Sequence, residues 1–328
     1  MRIMCFHLNQ IGDLIFSLPA LKCIRDSFPE ARLISVVRPV LREILESSGL
    51  AHSIVLRNTA KNYNTVGLIM SLSAIKPDLA VVFSQSATCA LLAYLSGAPR
   101  RLGFEGSSMA FLLNTRVRFH HPPSTTNNLR LVEAAGARIT CNSYAGLVQA
   151  GDRQTDQADR LLRSVGIEPG EPVTVLAPAT SGNRSIKEWT DEGFAVVGQN
   201  LASRGLRPVI LGSNSHSNIT AHSNTIVDLQ GRTNISEVIG ILARSSLLVG
   251  VDSGLLHLAG AIGIPVIGLY GPSNHNITGP QGEGHIVLTS GADCSPCVKT
   301  QCSIGRKCMI DVTPQSVIAA VDSFLDGL

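Results

Sequence analysis

Aromatic side chains are scarce in this chain. Nine Phe, four Tyr and one Trp make up 4% of its 328 residues. Its cores must therefore be built from Leu, Ile, Val and Ala, which favours buried parallel strands covered by helices. Net charge is also small, +3 with His neutral. Neither a basic helix nor an aromatic ladder is present, so nothing points to nucleic acid, while the balance suits a small anionic substrate. Long hydrophobic runs are missing. A stretch such as 89–95 is too short to cross a bilayer. Arg2, Asp13 and Pro19 break up the first apolar segment, so neither a signal peptide nor a membrane span is expected, and a cytoplasmic location is the default. There are no tandem repeats and no low-complexity tract. No G-x-G-x-x-G follows the first apolar strand, so the usual dinucleotide fingerprint is absent. No DxD-type pair marks a catalytic divalent ion either, and none is expected.

The richest stretch is 247–274. Residues 247–251 form a continuous apolar run of strand length. Asp252, Ser253 and Gly254 then make a turn able to cap a helix, with two short oxygen-bearing side chains before a residue without Cβ. Leu255, Leu258, Ala259 and Ile262 recur at helical spacing, with His257 in the first turn, and Gly263 stops the helix. Residues 264–270 read as the next buried strand. A helix N-terminus after a strand presents unpaired N–H groups and positive dipole charge, which suits a phosphate. Any αβ unit also needs a cap and a glycine, so this signal has a purely structural reading beside the functional one.

Strand and helix signals alternate along the rest of the chain. Strands are expected at 1–8, 32–37, 53–56, 79–83 and 100–104, with helices at 14–27, 40–48, 66–75 and 88–95 between them. Residues 107–123, containing His120 and His121, lack a clean period and are read as a loop over a site. A polar helix at 151–165 and a Gly/Pro-rich break to 172 mark a linker. A second series then begins at 173–177 and closes with an amphipathic helix at 313–325. The expected fold class is α/β, with two Rossmann-like domains, 1–155 and 156–328, facing a cleft.

Three groups could carry chemistry. The first is Asn9-Gln10-Ile11-Gly12-Asp13 after the first strand, where parallel sheets place ligands. Asp13 there is a candidate general base for a substrate hydroxyl, or equally an N-cap. The second follows residues 173–177. Thr180 and Ser181 can donate to phosphate oxygens, and Lys187 is either a point charge for a diphosphate or a solvated loop lysine. Trp189, next to it, is expected to pack a helix onto the sheet. The third is Cys294-x2-Cys297-x4-Cys302-x5-Cys308, spaced as a four-thiolate site for iron or zinc, with free or redox-labile thiols as the alternative. Lys299, Arg306 and Lys307 could offset the thiolate charge. Cys5, Cys23, Cys89 and Cys141 are scattered and read as small apolar residues. His120, His121 and His216 are candidate ligands or sugar contacts, with solvated loop histidines as the alternative.

These blocks together resemble glycosyltransferase family 9, the ADP-heptose lipopolysaccharide heptosyltransferases. The resemblance rests on Ile11-Gly12-Asp13-Leu14, Leu18-Pro19-Ala20-Leu21 and Phe28-Pro29-Glu30-Ala31. It continues through Arg101-Leu102-Gly103-Phe104 and Lys187-Glu188-Trp189. It is strongest at 249–254 with His257, Leu258 and Ala259, and at Tyr270-Gly271-Pro272-Ser273. It implies a GT-B fold, with the acceptor on the first domain, the nucleotide sugar on the second, and a final helix crossing back to the first. It implies an inverting transfer of heptose, with ADP-heptose as donor and Asp13 as base. Lys187, Asp252, Ser253, Gly254 and His257 would hold the donor. An iron-bearing cysteine segment occurs in related autotransporter heptosyltransferases. The acceptor would be a glycan, a protein or a small molecule, reached in the cytoplasm or with peripheral contact at the inner face of the membrane. An acidic residue common in the family after the strand at 207–212 is missing from Ser213-Asn214-Ser215-His216-Ser217-Asn218, which leaves the nucleotide base open. A nucleotide-sugar epimerase of similar frame and a non-catalytic nucleotide-sugar binder are the alternatives.

Overall fold

Each half of the chain winds around its own parallel sheet. The computed structural model describes residues 1–7, 10–57, 64–180, 185–213, 218–297 and 299–326. It divides into two units, Met1–Leu147 and Val148–Leu328. The first sheet holds β1 (Arg2–Phe6), β2 (Arg32–Val37), β3 (Ser53–Leu56), β4 (Leu79–Val82), β5 (Arg100–Phe104) and β6 (Thr115–Val117). Their order is β3-β2-β1-β4-β5-β6, and every pairing is parallel. The second sheet holds β7 (Val173–Ala177), β8 (Arg207–Ile210), β9 (Val227–Asp228), β10 (Ser245–Val251), β11 (Val266–Leu269) and β12 (Ile286–Leu288). Their order is β12-β11-β10-β7-β8-β9, again all parallel.

Both sheets use the same winding. The first strand of each half is central, and the direction of strand addition reverses beside it. The reversal lies between β1 and β4 in one sheet and between β7 and β10 in the other. Beyond the carboxyl ends of such strand pairs, diverging loops leave a crevice where doubly wound sheets bind ligands. The central strands are mostly apolar because helices cover both faces: β4 is Leu-Ala-Val-Val and wholly buried. Gly250 in β10 lets that strand lie tight on β7, since a Cβ there would press on Ala177.

Most expected elements are present within a residue or two. One finding differs from expectation. Residues 107–123 are not one loop: β6 adds a sixth strand beside β5, so β5 is not an edge. The division falls at Leu147/Val148, because helix Asp152–Ser164 packs on helix Ile235–Arg244 of the second unit. The final helix, Pro314–Leu325, starts at a Thr313 cap. It packs on helix Asp191–Ser203, β11 and β12, with Val317, Ala320 and Val321 in the second unit's core. No described helix is long and apolar enough to cross a membrane.

The contact between helices Asp152–Ser164 and Ile235–Arg244 depends on Gly240, where an added Cβ would drive into the carbonyl of Gln154 and against Ala158. A backbone oxygen cannot swing aside as a side chain can. Gly240→Ala is therefore expected to destabilise the second unit by about 3 kcal/mol, the upper end for overpacking, despite the better helix propensity of Ala. Urea unfolding measures this. An unchanged midpoint would mean that the two helices separate at little cost.

Candidate active site

The first switch point carries Asp13. Helix Ile11–Ser27 begins earlier than its sequence suggests: Gln10 is the N-cap, with extended backbone and no side-chain cap bond. The expected turn at 9–13 is thus largely helix, and Asp13 is a first-turn acid rather than the cap. Its carboxylate sits where the helix dipole favours negative charge. It lines a cavity of about 170 Å³ with Phe16 of the same helix. Phe83, Ser84, Gln85 and Ser86 after β4 form a second wall, and Phe119, His121, Pro123, Ser124 and Asn128 after β6 form the third. His121, by sequence either a candidate sugar contact or a solvated loop histidine, belongs to this lining.

A buried histidine packs against Phe83 of that pocket. His7, directly after β1, stacks on Phe83 at 5.2 Å. Its Nδ1 lies 3.1 Å from Ser17 Oγ and its Nε2 3.3 Å from Ser35 Oγ. Ser17 spends its single proton on the Leu14 carbonyl, at 2.7 Å. Nδ1 must then donate to Ser17, and Nε2 accepts from Ser35. Burial lowers the His7 pKa to about 3, so the ring is neutral, as this pattern requires. His7 thus ties the first helix to β2 beneath Asp13. Nothing in the sequence singled it out.

The second switch point gathers three polar side chains around one carboxylate. Asp252 follows β10 and is buried. Lys187 reaches its Oδ2 at 2.5 Å from the loop after β7. Ser273, after β11, donates to the same oxygen at 2.5 Å. His257 reaches back one turn to Oδ1 at 3.3 Å. A carboxylate only accepts, so His257 Nε2 carries the proton. Burial alone would raise the Asp252 pKa. The hydrogen bond and charge of His257 and the ammonium of Lys187 overcome that and hold it well below the usual carboxylate range. Lys187 is 17% exposed and ion-paired, which excludes the solvated-lysine reading. Ser273 was visible only as part of a motif, with no role attached.

Beside this cluster, Ser253 caps helix Gly254–Ile262 by accepting from the Leu256 N–H at 3.4 Å. Gly254 opens that helix, and Gly263, at φ +98, ends it in a conformation natural to glycine. Thr180 lies partly buried in the loop after β7. Ser181 and His216 lie outside the described residues.

The structure does not support the expected four-thiolate metal site. Among the described residues, no group of three or more His, Cys, Asp or Glu is placed to hold an ion. Cys308 is buried beside Gly271 and Met309, whereas Cys294 is exposed. The Cys302 Sγ accepts the Arg306 N–H at 3.2 Å. Backbone N–H groups of Ile304 and Arg306 lower the Cys302 pKa, while burial, with the neighbouring thiols, raises that of Cys308. The charges of Cys294, Cys297 and Cys302 all reach Cys308, so the four thiols lie near one another. Arg306 donates from Nη1 to the Ser185 and Glu188 carbonyls at 2.8 and 3.1 Å and so braces the Lys187 loop. Its charge and that of Lys299 also lower the Cys302 pKa, the offset expected of cations beside these thiols. Trp189 also ties this region together, donating to the Val312 carbonyl at 2.8 Å while packing on Phe194.

Two Rossmann-type sheets, each with polar chemistry at its switch point, define an α/β enzyme of GT-B type. The model of glycosyltransferase family 9 (heptosyltransferase) matches residues 66–308, and the chain belongs to that family. It is a glycosyltransferase. Lipopolysaccharide heptosyltransferase 2 of Escherichia coli K12 is 24% identical over 99% of both chains. The solved structure of E. coli ADP-heptose LPS heptosyltransferase II superposes with a TM-score of 0.80 at 20% identity, over 99% of this chain and 98% of that one. A family 9 glycosyltransferase from Veillonella parvula gives 0.84 at 20% identity, over 100% and 97%. The dodecameric iron-containing heptosyltransferase TibC, solved with ADP-D-β-D-heptose, gives 0.64 at 15% identity, over 99% of this chain and 76% of that one.

Proposed function

We propose that the protein transfers heptose from ADP-heptose to an acceptor hydroxyl, with inversion at the anomeric carbon, in the assembly of a lipopolysaccharide-type glycan. The first unit holds the acceptor and the second the nucleotide sugar. The observation that carries the reading is the cation and helix N-terminus gathered at the ends of β7 and β10. A leaving diphosphate needs positive charge that is already in place, because preorganised charge costs no rearrangement as the bond breaks. Lys187, held by Asp252, supplies an ammonium, and the N–H groups at Ser253 and Gly254 supply dipole charge. An ammonium has three N–H donors, so Lys187 can meet the phosphates from where Asp252 holds it. Thr180 and Ser181 contribute hydroxyl donors. Asp13 takes the acceptor proton as its oxygen attacks the face opposite the leaving group. The names of the relatives favour heptose and ADP. The reading extends to action in the cytoplasm, with peripheral contact at the membrane where the acceptor is a glycolipid.

Titration calorimetry with ADP, UDP and GDP, followed by mass spectrometry of reactions with ADP-heptose, tests this. ADP is expected to bind tightest, and heptosylated acceptor and free ADP should appear in equal amounts. Tighter binding of UDP or GDP, or retained configuration in the product, would overturn the donor or the stereochemical assignment respectively.

A further inference from the structure

The cysteine segment is fastened to the cluster around Asp252 at two points, both within the second unit. The first runs through Arg306. Its guanidinium donates to the carbonyls of Ser185 and Glu188, which flank Lys187. Its backbone N–H donates to Cys302 Sγ at 3.2 Å. Arg306 stands at φ +57, a left-handed conformation that is costly for a residue with a Cβ, so contacts on both sides must hold it there. The second point is Gly271. Ser295, between Cys294 and Cys297, donates to its carbonyl at 2.5 Å. Cys308 Sγ lies so close that a Cβ on Gly271 would stand 2.9 Å from it. Just beyond Gly271, Ser273 donates to Asp252, the carboxylate that holds Lys187.

Cys302 is the thiol on which the Arg306 contact turns. It is half-buried, open to a small reagent, and the other thiols of the segment lie near one another beside it. The N–H groups and cations around its sulfur favour the thiolate, which is both the better acceptor and the form that reacts. A small disulfide, of the oxidised-glutathione class, supplies the oxidant. The Cys302 thiolate attacks one of its sulfurs, the S–S bond breaks, and the other half leaves as a thiolate that takes a proton from solvent. A neighbouring thiol gives its proton to solvent, attacks the Cys302 sulfur and expels the second half in the same way. Two cysteines are thereby oxidised as one small disulfide is reduced to two thiols. The mixed and the internal disulfide both remove the negative charge that Cys302 offers the Arg306 N–H, and a neutral divalent sulfur is a weak acceptor.

We propose that Cys302 is a thiol-modification site that controls the nucleotide site: with its sulfur free, Arg306 holds the Lys187 turn, and with its sulfur in a disulfide that hold is released. The step from the turn to nucleotide binding rests on the reading of Lys187 as the cation of the diphosphate. Lys187 must keep one place beside Asp252 to meet a phosphate without rearrangement. Once Arg306 loses the Cys302 acceptor, its left-handed backbone relaxes and its guanidinium leaves the two carbonyls. The 3₁₀ turn Ser185–Lys187 is then no longer fixed from that side.

The test compares the full chain, fully reduced, with the same protein treated with oxidised glutathione. Peptide mass spectrometry after alkylation locates the new bonds, calorimetry measures ADP affinity, and hydrogen exchange follows residues 185–190. Modification is expected at Cys302, with ADP affinity lowered by about tenfold or more, as for loss of a charge-assisted contact, and faster exchange at 185–190. Dithiothreitol should reverse both. Cys302→Ser should be unmoved by the treatment in either readout. Arg306→Lys keeps the charge but not the planar fork, so it should start with faster exchange and weaker ADP binding, and oxidation should add little. The inference is overturned if Cys302 stays free, if its modification leaves exchange at 185–190 or a measurable ADP affinity unchanged, or if Cys302→Ser responds like the parent. Reduced protein that binds no ADP, yet shows the expected change in exchange, would instead count against Lys187 as the diphosphate cation and leave the thiol control of its turn standing.

Discussion

Asp13→Asn is expected to lower heptosyl transfer by ~100-fold or more while ADP affinity stays within about threefold. The first figure follows from the usual contribution of a positioned general base. Asn keeps the shape and much of the hydrogen bonding of Asp but cannot take a proton at neutral pH. The ADP figure follows from placement: Asp13 belongs to the pocket after β1 and β4, and the Lys187 and Asp252 cluster to the loops after β7 and β10. Stability separates the base from a structural acid. As a first-turn residue that is not the cap, Asp13 adds about 0.3–1 kcal/mol through the helix dipole. The variant should therefore melt within a few degrees of the parent while losing its activity. Product formation by mass spectrometry, ADP titration and a thermal melt decide it together. Turnover near the parent level, or a loss of activity that only tracks a large fall in melting temperature, removes Asp13 as the base.

The residues that sequence reading found are those whose signal is local. Asp252 and Ser253 directly follow β10, and Asp13 and Lys187 lie in the first segments after β1 and β7, each a strand of the central pair of its sheet. Strand periodicity followed by a turn is enough to place them at a sheet's carboxyl edge. The double winding was legible for the same reason, since alternating strand and helix signals constrain connections to right-handed crossovers. What stayed hidden depends on tertiary contact. β6 and β12 have three residues each, too few for a period to show. Phe16, Phe83 and Phe119 are far apart in sequence, and each looks like a core residue until the fold brings them to one pocket. His7 reads as a strand end, and only its contacts with Ser17, Ser35 and Phe83 give it a role. The cysteine spacing brings the thiols near one another, so that three of them act on the charge of Cys308, but spacing alone does not orient them around one ion. Here one thiol is buried against Gly271 and another accepts a backbone N–H.

Asp252→Asn should produce the largest stability change in the second unit, and its pH dependence should identify the cause. In the parent, Asp252 accepts from Lys187 and Ser273 on one oxygen and from His257 on the other. An amide offers one acceptor and one donor in the same space. Either Lys187 and Ser273 or His257 then faces an N–H group, and a buried cation loses its counter-charge. Breaking a buried pair in this way costs about 3–5 kcal/mol. At roughly 2–4 °C per kcal/mol, the lower figure is a fall of roughly 6–12 °C in melting temperature. ADP affinity should fall as well, because Lys187 is no longer held in place beside the helix N-terminus. The pH sign follows from the depressed pKa of the folded carboxyl. Its contribution is complete above the unfolded value of about 3.9 and is lost as pH falls toward the folded value. Each pH unit below about 4 should therefore remove about 1.4 kcal/mol from the parent, and little of this slope should remain in the variant. Urea unfolding at stepped pH should show the gap between parent and variant widest near neutrality and narrowing below about pH 4. A gap that stays constant down to pH 3 would mean that the variant fails through lost packing, and the carboxylate would no longer be the charge that holds Lys187 and His257 together.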